Sequence, residues 1–205
     1  MLRLLLAAAA AALVLTPAIA QERVTRPLQV EAVLTEDSGP GQTHSSESTV
    51  LWSSGFDTNG WPVIVADAEF PGLALHLLIT RNTDERLPAI AVLDLTFTLA
   101  ADHPGKSVAR LAGVLGRTGN ETVGKQFQGG SAKIEDNVFL YALSNSKADA
   151  GPNDALLLNS QFFDIAFVYE DKRRAIINLG LDAPTRAFVG AIVAMWKQSA
   201  PPQRP

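Results

Sequence analysis

Residues 61–70 and 73–80 are two apolar-rich runs separated only by Pro71-Gly72, and no other feature of the chain narrows its fold so far. Proline presets φ at the first corner of a tight turn, and glycine supplies the positive φ of the second. Two runs of strand length across such a turn predict an antiparallel hairpin. In the second run Leu73, Leu75, Leu77 and Ile79 share one face, while Ala74, His76 and Leu78 share the other. A charged turn over residues 81–88 leads to residues 89–99, where Val92, Asp94, Thr96 and Thr98 alternate with Leu93, Leu95, Phe97 and Leu99. Period-two alternation of this kind describes a sheet with one dry face and one wet face.

The same grammar recurs along the chain. Residues 28–34 start in apolar–polar alternation, and residues 49–56 resume as a strand containing Trp52. Residues 132–135 and 138–143 flank Asp136-Asn137 as a hairpin, and residues 163–169 and 174–181 form another across residues 170–172. Residues 57–60 read as a turn, residues 100–106 as a loop, and residues 36–48, rich in Ser, Gly, Thr and Glu, as a flexible loop or linker. Residues 108–115 fit either a strand or a short helix, and residues 116–130 are glycine-rich and polar. Residues 153–161 suggest one or two helical turns capped by Asn153. The period then changes to a helical one. Asp182 is the expected N-cap, Pro184 sits in the first turn, and Phe188, Ile192, Met195 and Trp196 form a face expected to pack on the hairpin at residues 163–181.

These elements predict a mainly β, β-sandwich-like domain of about eight short antiparallel strands with a C-terminal α-helix, with α+β as the alternative. The expected division is a signal peptide over 1–20, an N-terminal strand and flexible loop over 21–48, the β-rich domain over 49–198 and a disordered tail over 199–205.

Arg3, the apolar run 4–15, the break at Thr16-Pro17 and the small residues of Ala18-Ile19-Ala20 read as a secretory signal, with cleavage expected after Ala20. Its alternative is an uncleaved anchor. The longest later apolar run, residues 187–196, is too short to cross a bilayer, so no transmembrane segment is expected once the signal is removed. The expected location is periplasmic or secreted. The chain has no cysteine. That excludes a disulfide framework, thiolate metal sites and a cysteine nucleophile, and it fits a bacterial envelope protein that does not rely on oxidative folding. A net charge of -4 argues against a nucleic-acid partner.

Most local motifs fail on chemistry. Residues 119–125 match much of a phosphate-binding loop, but Gln126 stands where Ser or Thr must hold magnesium. Asp57-Thr58-Asn59-Gly60 opens like a calcium loop, yet Ala68 falls where the bidentate carboxylate belongs. Ser144-Asn145-Ser146-Lys147 matches Ser-x-x-Lys without its companion motifs. Asn120-Glu121-Thr122 is a glycosylation tripeptide of no consequence in a bacterial envelope. His44, His76 and His103 are far apart in sequence and form no metal-binding pair. No cofactor, metal or catalytic residue is expected. The candidate contact groups are Arg81, Asp84 and Arg86 in one turn and Arg173 and Arg174 in another, because clustered arginines can hold carboxylates or phosphates. The competing reading is two solvated turns.

Residues 80–89 resemble an R-N-x-D-x-x-L-P-A segment, and residues 163–169 with 173–177 resemble a W-F-D-I-P-x-V-Y…G-R-R-A-I segment. Both resemble a family of uncharacterised exported bacterial envelope proteins, over about residues 61–196. Phe162 stands for the tryptophan, Ala166 for the proline and Lys172 for the turn glycine. The resemblance implies an exported domain and carries no catalytic residue. The leading expectation is a non-catalytic interaction or structural module with an envelope protein as partner. A small-ligand or lipid carrier would need a dry cavity between sheets. A hydrolase would need a pocket gathering His76 or His103 with an acid and a nucleophile.

Overall fold

The computed structural model describes residues 27–119 and 121–198, so the expected signal segment, residues 21–26, Asn120 and the tail at 199–205 lie outside the described residues. In chain order the elements are β1 (Leu28–Gly39), β2 (Gln42–Phe56), β3 (Pro62–Phe70), β4 (Leu73–Arg81), β5 (Ala89–Leu99), β6 (Val108–Arg117), β7 (Lys125–Gln126), β8 (Gly129–Glu135), β9 (Val138–Ser144), α1 (Ala150–Asn159), β10 (Phe162–Tyr169), β11 (Arg174–Gly180) and α2 (Ala183–Trp196). The chain is mainly β with a C-terminal helix, as its alternation predicts.

All eleven strands belong to one antiparallel sheet in the order β7-β6-β10-β11-β1-β2-β3-β4-β5-β9-β8. Its sandwich-like core comes from that single sheet curling on itself. Phe97 of β5 and Phe167 of β10 lie far apart in the strand order, yet their ring centroids are 4.8 Å apart. The two ends of the sheet are tied by the chain itself, since only Phe127 and Gln128 separate β7 from β8. Phe127 N–H donates to the Val114 carbonyl of β6 at 3.0 Å, and Ser144 N–H of β9 donates to the Gln128 carbonyl at 2.9 Å. Gly129 begins β8 because a Cβ there would collide with the Ala142 carbonyl.

Alternation fills the inside of the curl. Trp52, Phe163 and Phe127 touch edge to face, and Phe139, Phe97, Phe167 and Tyr169 form a second run of rings. Edge-to-face pairs add roughly 0.5–1.5 kcal/mol each beyond the area they bury. The Trp52 indole N–H donates to the Gly180 carbonyl at 2.9 Å, so even the one polar atom of that ring is satisfied.

Residues 36–48 are not a linker. They form the outer half of the β1–β2 hairpin, which turns at Gly41 with φ +70° and pairs in register from Leu28↔Trp52 to Asp37↔Thr43. Its polar composition reflects a ribbon that is wet on both sides, where Thr35 and Ser45 hydroxyls meet at 3.0 Å. β1 lies between β11 and β2, so the expected boundary at residue 49 falls inside the sheet. Residues 108–115 resolve as strand, held by pairing with β10.

Both helices sit at one end of the curl. Asp149 holds the N-cap position of α1, one turn earlier than expected and without a side-chain capping bond, and Asn153 is buried inside the helix. α2 is capped as expected, with Asp182 accepting from Thr185 N–H at 2.9 Å and proline in the first turn. It packs on α1 and the start of β3 instead of the hairpin at residues 163–181, and the Trp196 indole N–H donates to the Pro62 carbonyl at 2.6 Å. At the opposite end lie the β1–β2 arm, the Pro71-Gly72 turn, residues 100–107 and the turns after β8 and β10.

Candidate functional site

The first charged cluster is built by Asn82. Its side-chain amide donates to the carbonyls of Asp84, Leu87 and Ala89, which folds residues 82–88 into a fixed turn. Asp84 then accepts from Arg86 Nε and Nη2 at 3.0 Å each. That hydrogen-bonded guanidinium holds the Asp84 carboxyl below the usual carboxylate range. Arg81 stacks its guanidinium 4.0 Å above the Trp61 ring. Each cation already has a partner within the chain.

The second cluster is a clasp between three segments at the other end of the sheet. Tyr169 OH donates to Glu36 Oε1 at 2.7 Å. Burial, with Glu36 beside it, pushes the phenol far above its ordinary value, so it stays a donor. The His103 side chain is 7% exposed and lies on the Tyr169 ring at 5.0 Å. Its Nδ1 accepts from Gly105 N–H at 3.1 Å, leaving Nε2 to face Glu36 Oε1 at 3.8 Å. Arg173 donates through Nε to Asp171 Oδ2 at 2.7 Å and lies over the Tyr169 ring. Arg174 donates its backbone N–H and Nε to Asp37 Oδ2, both at 3.2 Å. Lys172 holds φ +70°, a conformation that the glycine of the resembled segment adopts without strain.

These contacts set an acid response. The backbone and side-chain bonds from Arg174 hold Asp37 below the usual carboxylate range. Burial raises Asp171, but the hydrogen bonds from Arg173 outweigh it and leave that carboxyl lowered too. A carboxyl depressed in the folded state contributes stability at pH values above its unfolded pKa, and that stability is lost as pH falls through the folded one. Thermal melts from pH 7 to pH 2 are therefore expected to show Asp37→Asn below the parent protein at neutral pH, with the gap closing below about pH 4. A gap independent of pH would contradict this assignment.

The two clusters share no surface. His103 packs beside Gly72 at the start of β4, whereas Arg81 ends that strand, roughly 26 Å away at about 3.3 Å per residue. Arg81, Asp84 and Arg86 thus lie at one end of the sheet, and Arg173 and Arg174 at the other.

The remaining motifs resolve as local structure. Asp57 Oδ1 accepts from Asn59 and Trp61 N–H, which makes residues 57–60 a turn with Gly60 at φ +84°. Ser144 and Ser146 both donate to Asp149 Oδ2 at 2.7 Å, so Ser144 is tied to the start of α1 and not to Lys147. Glu121 is bound by Thr118 and by Gly119 N–H within the glycine-rich loop. His76 pairs with Asp67 at 2.6 Å on the exposed face of β3 and β4, and burial raises nearby Asp94.

A different surface stands out, and sequence reasoning passed over it. A groove of about 610 Å³ runs along β8 and β9, walled by Leu87, Val92, Ala132, Leu140 and Ala142. Every residue of β8 is exposed, and Ile134 shows 53% of its surface. β8 pairs with β9 and with no other strand among the described residues. The available signal was Gly129-Gly130 ahead of Ser-Ala-Lys-Ile-Glu, a strand pattern with too little apolar content to bury a face.

Comparison with protein-family models, curated proteins and solved structures gives no match.

Proposed function

We propose that this chain is a non-catalytic interaction module of the bacterial cell envelope, exported by the segment 1–20 and holding a partner protein along β8 and β9. The groove carries this reading. It joins an apolar wall to an exposed strand, which is the combination that partner surfaces use. Exposed apolar surface costs solubility unless something covers it in use. The interior that a small-ligand or lipid carrier would need is occupied by Trp52 and the phenylalanine rings. Near His103 the hydroxyl that meets the acid is that of Tyr169, whose raised pKa makes it a poor nucleophile for a hydrolase.

Photo-crosslinking side chains placed at Ala132 or Leu140, and for comparison at Glu85 or Lys172, test the assignment in exporting cells. One dominant envelope protein is expected from the groove positions and none from the charged turns. Crosslinks from the turns alone, or from no position, would overturn it.

A further inference from the structure

We propose that the groove along β8 and β9 receives a segment of the partner protein that carries a lysine or arginine among apolar side chains, with Asp149 as the group that meets the cation; this rests on the interaction-module reading above. The register builds the groove. On the outer face of the sheet Val92, Ala142 and Gly130 form one row across β5, β9 and β8, and Asp94, Leu140 and Ala132 form the next. Ala142 and Gly130 are small, and a Cβ on Gly130 would meet nothing within 4 Å, so their row is the floor. Leu140 and Ala132 stand along one side, and the Leu87-Pro88 turn with Ser144 and Asp149 stands along the other.

Among the described residues that line the groove, Asp149 alone carries a charge. Its Oδ2 accepts from the Ser144 and Ser146 hydroxyls at 2.7 Å each, which fixes the carboxylate. Oδ1 has no hydrogen-bond partner among the described residues. The two hydroxyls hold this carboxyl below the usual carboxylate range, so it is an anion at neutral pH. The cations nearest in sequence do not neutralise it. Arg86 is bound by Asp84, and Lys147 forms no ion pair among the described residues. A second carboxylate, Asp94, lies beside Leu140. On the outer face of β3, β4, β5 and β9 the one basic group among the described residues is His76, which Asp67 holds at 2.6 Å.

A fixed anion at the side of an apolar groove selects its occupant twice. A guanidinium or ammonium can reach Oδ1 while apolar neighbours on the same segment cover Leu87, Ala142 and Leu140. A purely apolar segment would cover the carboxylate and leave it unpaired, which costs affinity. An acidic segment would meet Asp149 and Asp94 as like charges.

The test is selection of displayed random peptides on the intact chain, followed by synthesis of those enriched. Peptides with Lys or Arg between apolar residues are expected, and their affinity should fall as salt rises. Asp149→Asn can keep both serine bonds through its own oxygen while removing the charge. Gly130→Leu fills the floor where there is room for it. Each should weaken binding about tenfold or more, with a melting temperature close to the parent's. Enriched peptides that lack a basic residue, or that ignore Asp149→Asn, would overturn the cation site while the groove stands as a partner surface. Self-association lost in Gly130→Leu would put a second copy of this chain in the groove and overturn it. Absence of enrichment also overturns it, and only the added loss of groove crosslinks would remove the interaction module as well.

Discussion

Trp196→Ala is expected to destabilise the chain by about 3–5 kcal/mol, the range for truncating a buried tryptophan. The ring closes the last turn of α2, is 7% exposed, and donates to the Pro62 carbonyl at the start of β3. Alanine removes the packing and also leaves that carbonyl without its donor. Trp196→Phe keeps most of the apolar surface and loses the hydrogen bond, so its expected cost is smaller, about 1–3 kcal/mol. Urea unfolding of the two variants separates the terms. Equal midpoints for both would mean that packing contributes nothing. A Trp196→Ala midpoint equal to that of the parent would detach α2 from the core altogether.

Asn153→Leu is expected to cost a similar amount, although it adds apolar surface to a buried site. Asn153 is fully buried and spends its whole amide on the backbone of Gln128 and Ser144. Oδ1 accepts from Gln128 N–H at 2.8 Å, and Nδ2 donates to the carbonyls of Gln128 at 2.8 Å and Ser144 at 3.0 Å. Leucine fills the volume but takes the partner from Gln128 N–H and from the Ser144 carbonyl, each costing roughly 1–3 kcal/mol when buried, while the Gln128 carbonyl keeps its bond from Ser144 N–H. Exposure of Gln128 moderates the sum to about 2–4 kcal/mol. The damage should be local first, because Gln128 is where the chain passes from β7 to β8. Amide exchange in the variant should accelerate at residues 125–130 before it does in β4. Uniform acceleration across the sheet, or an unchanged unfolding midpoint, would contradict this role.

The contrast between Trp196 and Asn153 marks what the sequence could convey. Trp196 was legible as a buried helix residue because its spacing from Phe188 and Ile192 is local, but its partner was not, since Pro62 is remote in sequence. Asn153 looked like a cap, because a short amide before an apolar run satisfies backbone N–H groups in either role. It satisfies that of Gln128, where the chain passes from β7 to β8. The hairpin at Pro71-Gly72 and the alternation of β4 and β5 carried over directly, as local turn chemistry and local period decide both. The β1–β2 arm did not, because a ribbon wet on both faces lacks the apolar alternation that identifies a strand. Its Ser-Thr-Glu composition matches that of a loop.

The charged candidates show the same limit from the other side. Arg86 and Arg173 were correctly read as lying in turns, but sequence could not tell a cation awaiting a ligand from one already held by Asp84 or Asp171 two residues away. Nor could it show that the two turns lie at opposite ends of the sheet. The exposed edge of β8 was invisible for a different reason. A free edge is a property of which strands pair, and no single stretch of residues encodes it.

The reading of β8 and β9 as a partner surface depends on the outer edge of β8 being free, and residue-resolved amide hydrogen exchange of the unliganded protein tests this most directly. The N–H groups of Ser131 and Lys133 should exchange near the rate of unstructured peptide, while those of Leu75 and Leu77 in β4 should be protected close to the global unfolding limit. Protection of Ser131 and Lys133 equal to that of β4 would mean that this edge is already covered, and the partner surface along β8 would be contradicted.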